Sequence, residues 1–219
     1  MKNFFQMDGP VMRAMSDLST LVILNLVTML CCLPVVTAGA SLSAMHYILM
    51  QMPDEQVGHV IPAFFRQFRG NLRCSTLPWL ILLAVGALFY MDYRVFGSGD
   101  MNRALVIPAY AGMGVVLLLY VWMFPLLARF DNTTAATLRN TMILAAGNLP
   151  RTLAMAALSA VVPFVLTQSL RLLPLAFLVG FTLPGYFCML IYRSVIEGLV
   201  EKAKGKKTDG VQNEEEKEI

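Results

Sequence analysis

Charge is missing from this chain in five long stretches, and that absence limits the possible fold more than any motif does. No Asp, Glu, Lys or Arg lies between Asp17 and Asp54, Arg73 and Asp92, Arg103 and Arg129, Arg151 and Arg171, or Arg171 and Arg193. A charge at the centre of a membrane helix costs about 2.5–3.5 kcal/mol on insertion scales, so spanning helices exclude it. Only 14% of the residues are charged and 57% are hydrophobic, whereas a soluble domain carries about 25% charged residues. The expected fold is therefore all-α, a polytopic membrane helical bundle.

A spanning helix needs about 20 mostly apolar residues. The windows supply spans at about 18–36, 75–91, 105–127, 150–166 and 172–192. They make residues 1–193 a single transmembrane domain, followed by a charged tail over 194–219. Lys2, Arg13 and the small-residue run Ala38-Gly39-Ala40 outline a signal peptide. The apolar stretch, however, starts after Asp17 and is long for such a leader, so the segment is kept as a helix.

Pro34 and Gly39 break the first window, which is too long for one crossing. Beyond them Leu42, Met45, Leu49 and Met52 follow helical spacing. That short helix is expected at the interface, or continuing the first span.

"FFRQFRGNLRCSTL" (64–77) and "LAAGNLPRTLAMAA" (144–157) both carry Gly-Asn-Leu, an arginine and a threonine before an apolar run. On a helical wheel Phe64, Phe65, Phe68 and Leu72 share one arc, and Arg66, Arg69 and Arg73 the next. Such a helix is expected in the membrane surface, aromatics toward lipid. Gly70 and Gly147 are read as helix stops, and Asn71 and Asn148 as caps of the following helix. Asp131, Asn132 or Thr133 caps the second surface helix, and Pro150 sits in a first turn that tolerates it. Late prolines at Pro34, Pro125 and Pro184 complete the joints. The pattern predicts a degenerate repeat of span, amphipathic surface helix and returning span.

With five spans, twelve Lys and Arg residues fall on one side and five on the other. The richer side is expected to be cytoplasmic, with the C-terminus inside. It carries the candidate docking surface for lipids or a partner: Arg66, Arg69, Arg73, Arg129, Arg139 and Arg151.

Catalysis has little to work with. The histidines are His46 and His59, and no nucleophile triad, paired carboxylates, phosphate loop or metal spacing of cysteines is present. The expectation is a non-enzymatic protein with no cofactor, no metal site and no nucleic-acid partner. Asn25 is expected to make an interhelical hydrogen bond. Transport remains the alternative, because proline-broken helices can expose backbone groups to a substrate.

The stretches "LNLVTMLCCLPVVTAGASLSAMHYILMQM", "PAFFRQFRGNLRCST" and "PLLARFDNT" resemble the YesL family of bacterial integral membrane proteins. Pro34, Thr37, Gly39, Phe65, Phe68 and Asn71 carry the resemblance, with Arg129, Phe130, Asp131 and Asn132 adding to it. Ala40 departs from the proline or other small residue expected there. The resemblance implies a multi-pass protein of the bacterial inner membrane with no known activity. It also implies an accessory or regulatory role in carbohydrate uptake, because family members are often encoded beside ABC-type sugar transporters. Transporter or sensor-kinase components are the partners it suggests.

Overall fold

The computed structural model describes residues 10–54, 59–97, 106–130, 133–168, 171 and 173–215. Among them the chain is helical with no strand, as the charge pattern requires. The helices are α1 (Pro10–Cys32), α2 (Ala38–Gln51), α3 (Val60–Gly97), α4 (Val106–Arg129), α5 (Thr134–Gly147), α6 (Leu149–Thr167), α7 (Leu173–Val179) and α8 (Thr182–Glu215). Among the described residues five segments are long and apolar enough to cross a membrane: Ala14–Cys32, Val60–Val95, Val106–Arg129, Leu149–Leu166 and Thr182–Glu201. The molecule is a multi-pass helical bundle.

The break after α1 falls at Pro34, as expected. Thr37 stabilises it by donating its hydroxyl to the carbonyls of Cys31 (2.8 Å) and Pro34 (2.9 Å), and Trp79 Nε1 donates to Val35 O (2.8 Å). These bonds satisfy carbonyls that a helix end leaves open.

The short helix α2 is not interfacial. Ala38 through His46 are all buried, as are Ile48 and Leu49. Its small residues let α3 come close. A Cβ on Gly39 would stand 2.5 Å from Trp79 Cβ and 2.9 Å from the Ser75 carbonyl oxygen. The pairs Gly39–Ser75 and Ser43–Asn71 show that α2 and α3 run antiparallel.

Helix α3 differs most from expectation. Its 38 residues run unbroken through Gly70 and Asn71. Gly70 is therefore no helix stop and Asn71 no cap. Asn71 is buried and donates through Nδ2 to Ser43 Oγ (2.8 Å) and to Leu127 O (3.3 Å) in the last turn of α4. Phe64 is fully buried in the protein core, stacked near Phe68 with ring centroids 6.1 Å apart. Phe64, with the partly buried Phe68 beside it, thus holds the first half of α3 against protein while Phe65 is exposed, and no separate surface helix precedes the span.

The second Gly-Asn site does separate two helices. The difference lies two residues past the asparagine, where Arg73 stands in one copy and Pro150 in the other. A proline in a helix interior lacks the N–H and crowds the carbonyl four residues back, a strain that α3 absorbs at Pro78 and α4 at Pro125; at Pro150 it adds to Gly147 and Asn148 just before it. The chain restarts there, with Pro150 in the first turn of α6. Asn148 does not cap α6 with its side chain. Its backbone N–H (3.1 Å) and Nδ2 (3.4 Å) both donate to Leu144 O, closing α5. Thr133 caps α5 by accepting from the Ala136 N–H (3.4 Å), whereas Asp131 and Asn132 lie outside the described residues. Because only one of the two sites is a joint, the repeat built on them is not realised.

Pro125 is late in its span as expected, inside α4, which continues to Arg129, but it makes no joint there. Another proline moves. Pro184 sits in the first turn of α8 rather than late in a span. The fifth span is correspondingly shifted, from about 172–192 to Thr182–Glu201. The chain breaks at Gly180 and Phe181, where a Cβ on Gly180 would run into the Ala176 carbonyl. Asn25 of α1 fastens this break: its Oδ1 accepts from the N–H groups of Phe181 (2.9 Å) and Thr182 (3.2 Å), and its Nδ2 donates to Phe177 O (2.7 Å). One side chain thereby serves the end of α7 and the start of α8. Helix α8 then continues from the last span into the charged segment as far as Glu215.

Candidate functional site

Arg66, Arg69 and Arg73 are exposed on the first half of α3, and Arg129, Arg139 and Arg151 are exposed on α4, α5 and α6. A 38-residue helix follows about 57 Å at 1.5 Å per residue, nearly twice the roughly 30 Å hydrocarbon core. The charge-free part of α3 begins at Cys74. The three arginines therefore stand on an extension of the span, held by Phe64 and Asn71. Among the described residues both ion pairs belong to Arg193, with Asp54 (2.6 Å) and Glu197 (2.5 Å). Among those same residues the arginines of α3 have no carboxylate of this kind.

Of the six candidate arginines, Arg129 reaches a polar recess. This cavity of about 520 Å³ is bounded by α2, α4 and α8, with Gln51, Asp54, Arg193 and Glu201 among its walls. Arg193, Asp54 and Glu197 do not stand out in the sequence as a group. The four-residue spacing of Arg193 and Glu197 is a signal for their pairing, but the link to Asp54 joins positions far apart in the chain. Gln51 and Asp54 close the end of α2, so α2 leads from this recess inward.

One turn inward from Met50, His46 Nδ1 and Tyr192 Oη share a hydrogen bond of 2.9 Å, and the imidazole lies nearly parallel to the Phe124 ring. Burial pushes the His46 pKa down to about 4, so the ring is neutral at pH 7. His46 also borders a second, larger cavity of about 640 Å³ between α2, α3, α4, α6 and the start of α8. Its walls are mainly aliphatic and glycine, with Pro163 and Pro184 among them. A tertiary hydrogen bond, His46 to Tyr192, thus stands between a charged recess at the arginine-rich end and an apolar cavity within the bundle.

The fold and these two cavities define the class: a multi-pass α-helical membrane protein with a basic extension at one end. A family model described as "Protein of unknown function, DUF624" matches residues 20–93, from α1 through most of α3. That region contains Asn25, the buried α2 and Arg66, Arg69 and Arg73 of α3. No curated protein and no solved structure matches the chain.

Proposed function

We propose that this chain is a non-enzymatic accessory or regulatory membrane protein that docks a partner through the arginine face of α3. The bundle would lie in the bacterial inner membrane with this face and the C-terminus in the cytoplasm, as the Lys and Arg distribution favours. The observation that supports docking is the unbroken helix carrying Arg66, Arg69 and Arg73 beyond the span. A helix lying on lipid turns its aromatics down, but Phe64 is spent in the protein core. The arginines are then presented on a rigid rod, suited to carboxylates or phosphates on a partner as well as to lipid headgroups. The resemblance to the YesL family supplies the remaining part of the reading: a carbohydrate ABC transporter or its sensor kinase as partner.

The test is co-purification in mild detergent from the native host. The unaltered chain is expected to bring down a sugar-transport or sensor component, and the Arg66→Gln/Arg69→Gln/Arg73→Gln variant to lose it. Equal recovery by both would overturn docking through this face. A second reading, a small transporter in its own right, draws on the proline-lined inner cavity. Its apolar walls do not suit a sugar, and sugar flux into reconstituted vesicles would be needed to support it.

A further inference from the structure

The inner cavity lies at hydrocarbon depth. Leu83, on its wall, is nine residues past Cys74, where the charge-free part of α3 begins. At 1.5 Å per residue that is about 14 Å, near the middle of a core of roughly 30 Å. The cavity is not sealed, and three large residues on its walls, Leu83, Met113 and Phe181, are 36–42% exposed. The cavity therefore opens sideways, toward lipid chains.

Its contents are limited by its walls. A volume of about 640 Å³ corresponds to some twenty waters at roughly 30 Å³ each. Buried waters need two to four polar partners apiece, and the walls offer few. Trp79 Nε1 is already bonded to Val35 O, and Ser159 Oγ is paired with Cys188 Sγ. An empty space of this size would sacrifice too much packing for a small bundle to hold it open. The occupant is apolar along most of its length.

Two polar groups on its walls are left over, the Tyr120 hydroxyl and one nitrogen of His46. His46 is 7% exposed and borders the cavity, and its one hydrogen bond uses Nδ1. Nε2 has no hydrogen-bond partner among the described residues. Unlike Thr28 Oγ1, Ser75 Oγ and Thr137 Oγ1, which are sealed in without a partner, Nε2 keeps some accessible surface beside the cavity, and in either tautomer a neutral ring can meet a ligand's hydroxyl or acid group. His46 lies toward the arginine-rich end and the mouth lies near mid-depth, so polar and apolar ends are set apart along the bundle.

We propose that this cavity binds a single-chain amphiphile, its hydrogen-bonding head at His46 Nε2 and its hydrocarbon chain running to the mouth at Leu83, Met113 and Phe181. The occupant is a free fatty-acid-like molecule rather than one tail of a phospholipid, because the head site is enclosed and no charged side chain of the described residues lines it.

Two glycines provide the test. A Cβ on Gly114 would meet nothing within 4 Å, and one on Gly86 would meet only Val116 Cγ1 at 3.5 Å, yet both residues border the cavity. A Cβ at either position meets no backbone, so larger side chains there are expected to narrow the space. The full chain, in phosphatidylcholine nanodiscs, is irradiated with a palmitic-acid analogue carrying a diazirine at its chain end, and the adducts are mapped. Labelling at Leu83, Met113 and Phe181 is expected to saturate and to fall at least fivefold with excess oleate. Labelling at Leu88 and Val161, exposed outside the cavity, is expected to rise linearly. Gly114→Leu should lower the saturable labelling at least fivefold. If that variant does not elute as a single species, Gly86→Val is read in the same way. Non-saturable labelling throughout, or unchanged labelling in a well-folded cavity-filling variant, would overturn the proposal. So would saturable labelling confined to a diazirine phosphatidylcholine.

Discussion

The Asn71 side-chain amide of α3 donates to Ser43 Oγ of α2 across 2.8 Å, and through the same nitrogen reaches Leu127 O of α4. Three helices meet at one buried amide. The side chain of Asn148, at the matching place in the sequence, bonds only to its own helix end. The two asparagines therefore differ in energetic weight although their neighbours look alike.

Asn71→Leu is expected to destabilise the protein by about 1–2 kcal/mol, the cost of orphaning buried polar groups inside a bundle. Asn148→Leu should cost less, about 0.5 kcal/mol, since its 3.4 Å side-chain bond duplicates a backbone bond to the same carbonyl. Thermal unfolding in detergent would rank them. Equal losses would contradict the distinction.

Glycine substitutions separate the continuous α3 from a jointed one. Gly70 lies inside the helix, and a methyl group added to it would meet nothing within 4 Å. Gly70→Ala should stabilise by up to about 1 kcal/mol, because alanine is the better helix former. At Gly39 the same change should destabilise by about 1–3 kcal/mol, because the new methyl collides with Trp79 and the Ser75 carbonyl. A loss of stability at Gly70 would mean the helix breaks there after all.

Asn25→Leu removes three hydrogen bonds from the α7–α8 break. The expected cost is about 2 kcal/mol, concentrated at that break. Hydrogen exchange at the Phe181 and Thr182 amides should accelerate well before the rest of α8 does. Uniform acceleration across the bundle would point to general misfolding instead.

Topology can be read from single cysteines placed in a cysteine-free version of the chain. Positions 66 and 139 should react with an impermeant maleimide from the cytoplasmic face of inverted vesicles, and position 171 from the opposite face. Labelling of 66 and 171 from the same side would refute the five-crossing arrangement.

The spans were legible because exclusion of charge from lipid acts on each helix separately. The Asn25 bond was legible in kind, since an amide inside an apolar helix needs a partner, but its target was not. The burial of α2 was hidden for a related reason. Ser41, Ser43 and His46 make the segment look interfacial, and their partners Thr28, Asn71 and Tyr192 sit on three other helices. The contrast between Gly70 and Gly147 could have been found by weighing Pro150 against Arg73, a local steric strain added to the shared Gly-Asn pair. The inner cavity was out of reach, because it depends on where glycines of α3, α4 and α8 meet in space.

An α3 without a hinge at Gly70 also behaves as a lever. It approaches α2 tightly where Gly39 meets Ser75 and Trp79, a point partway along its length. Arg66 stands on one arm and Leu83 and Gly86 on the other. A tilt of this rod about that contact would carry the arginine end and the cavity wall in opposite senses.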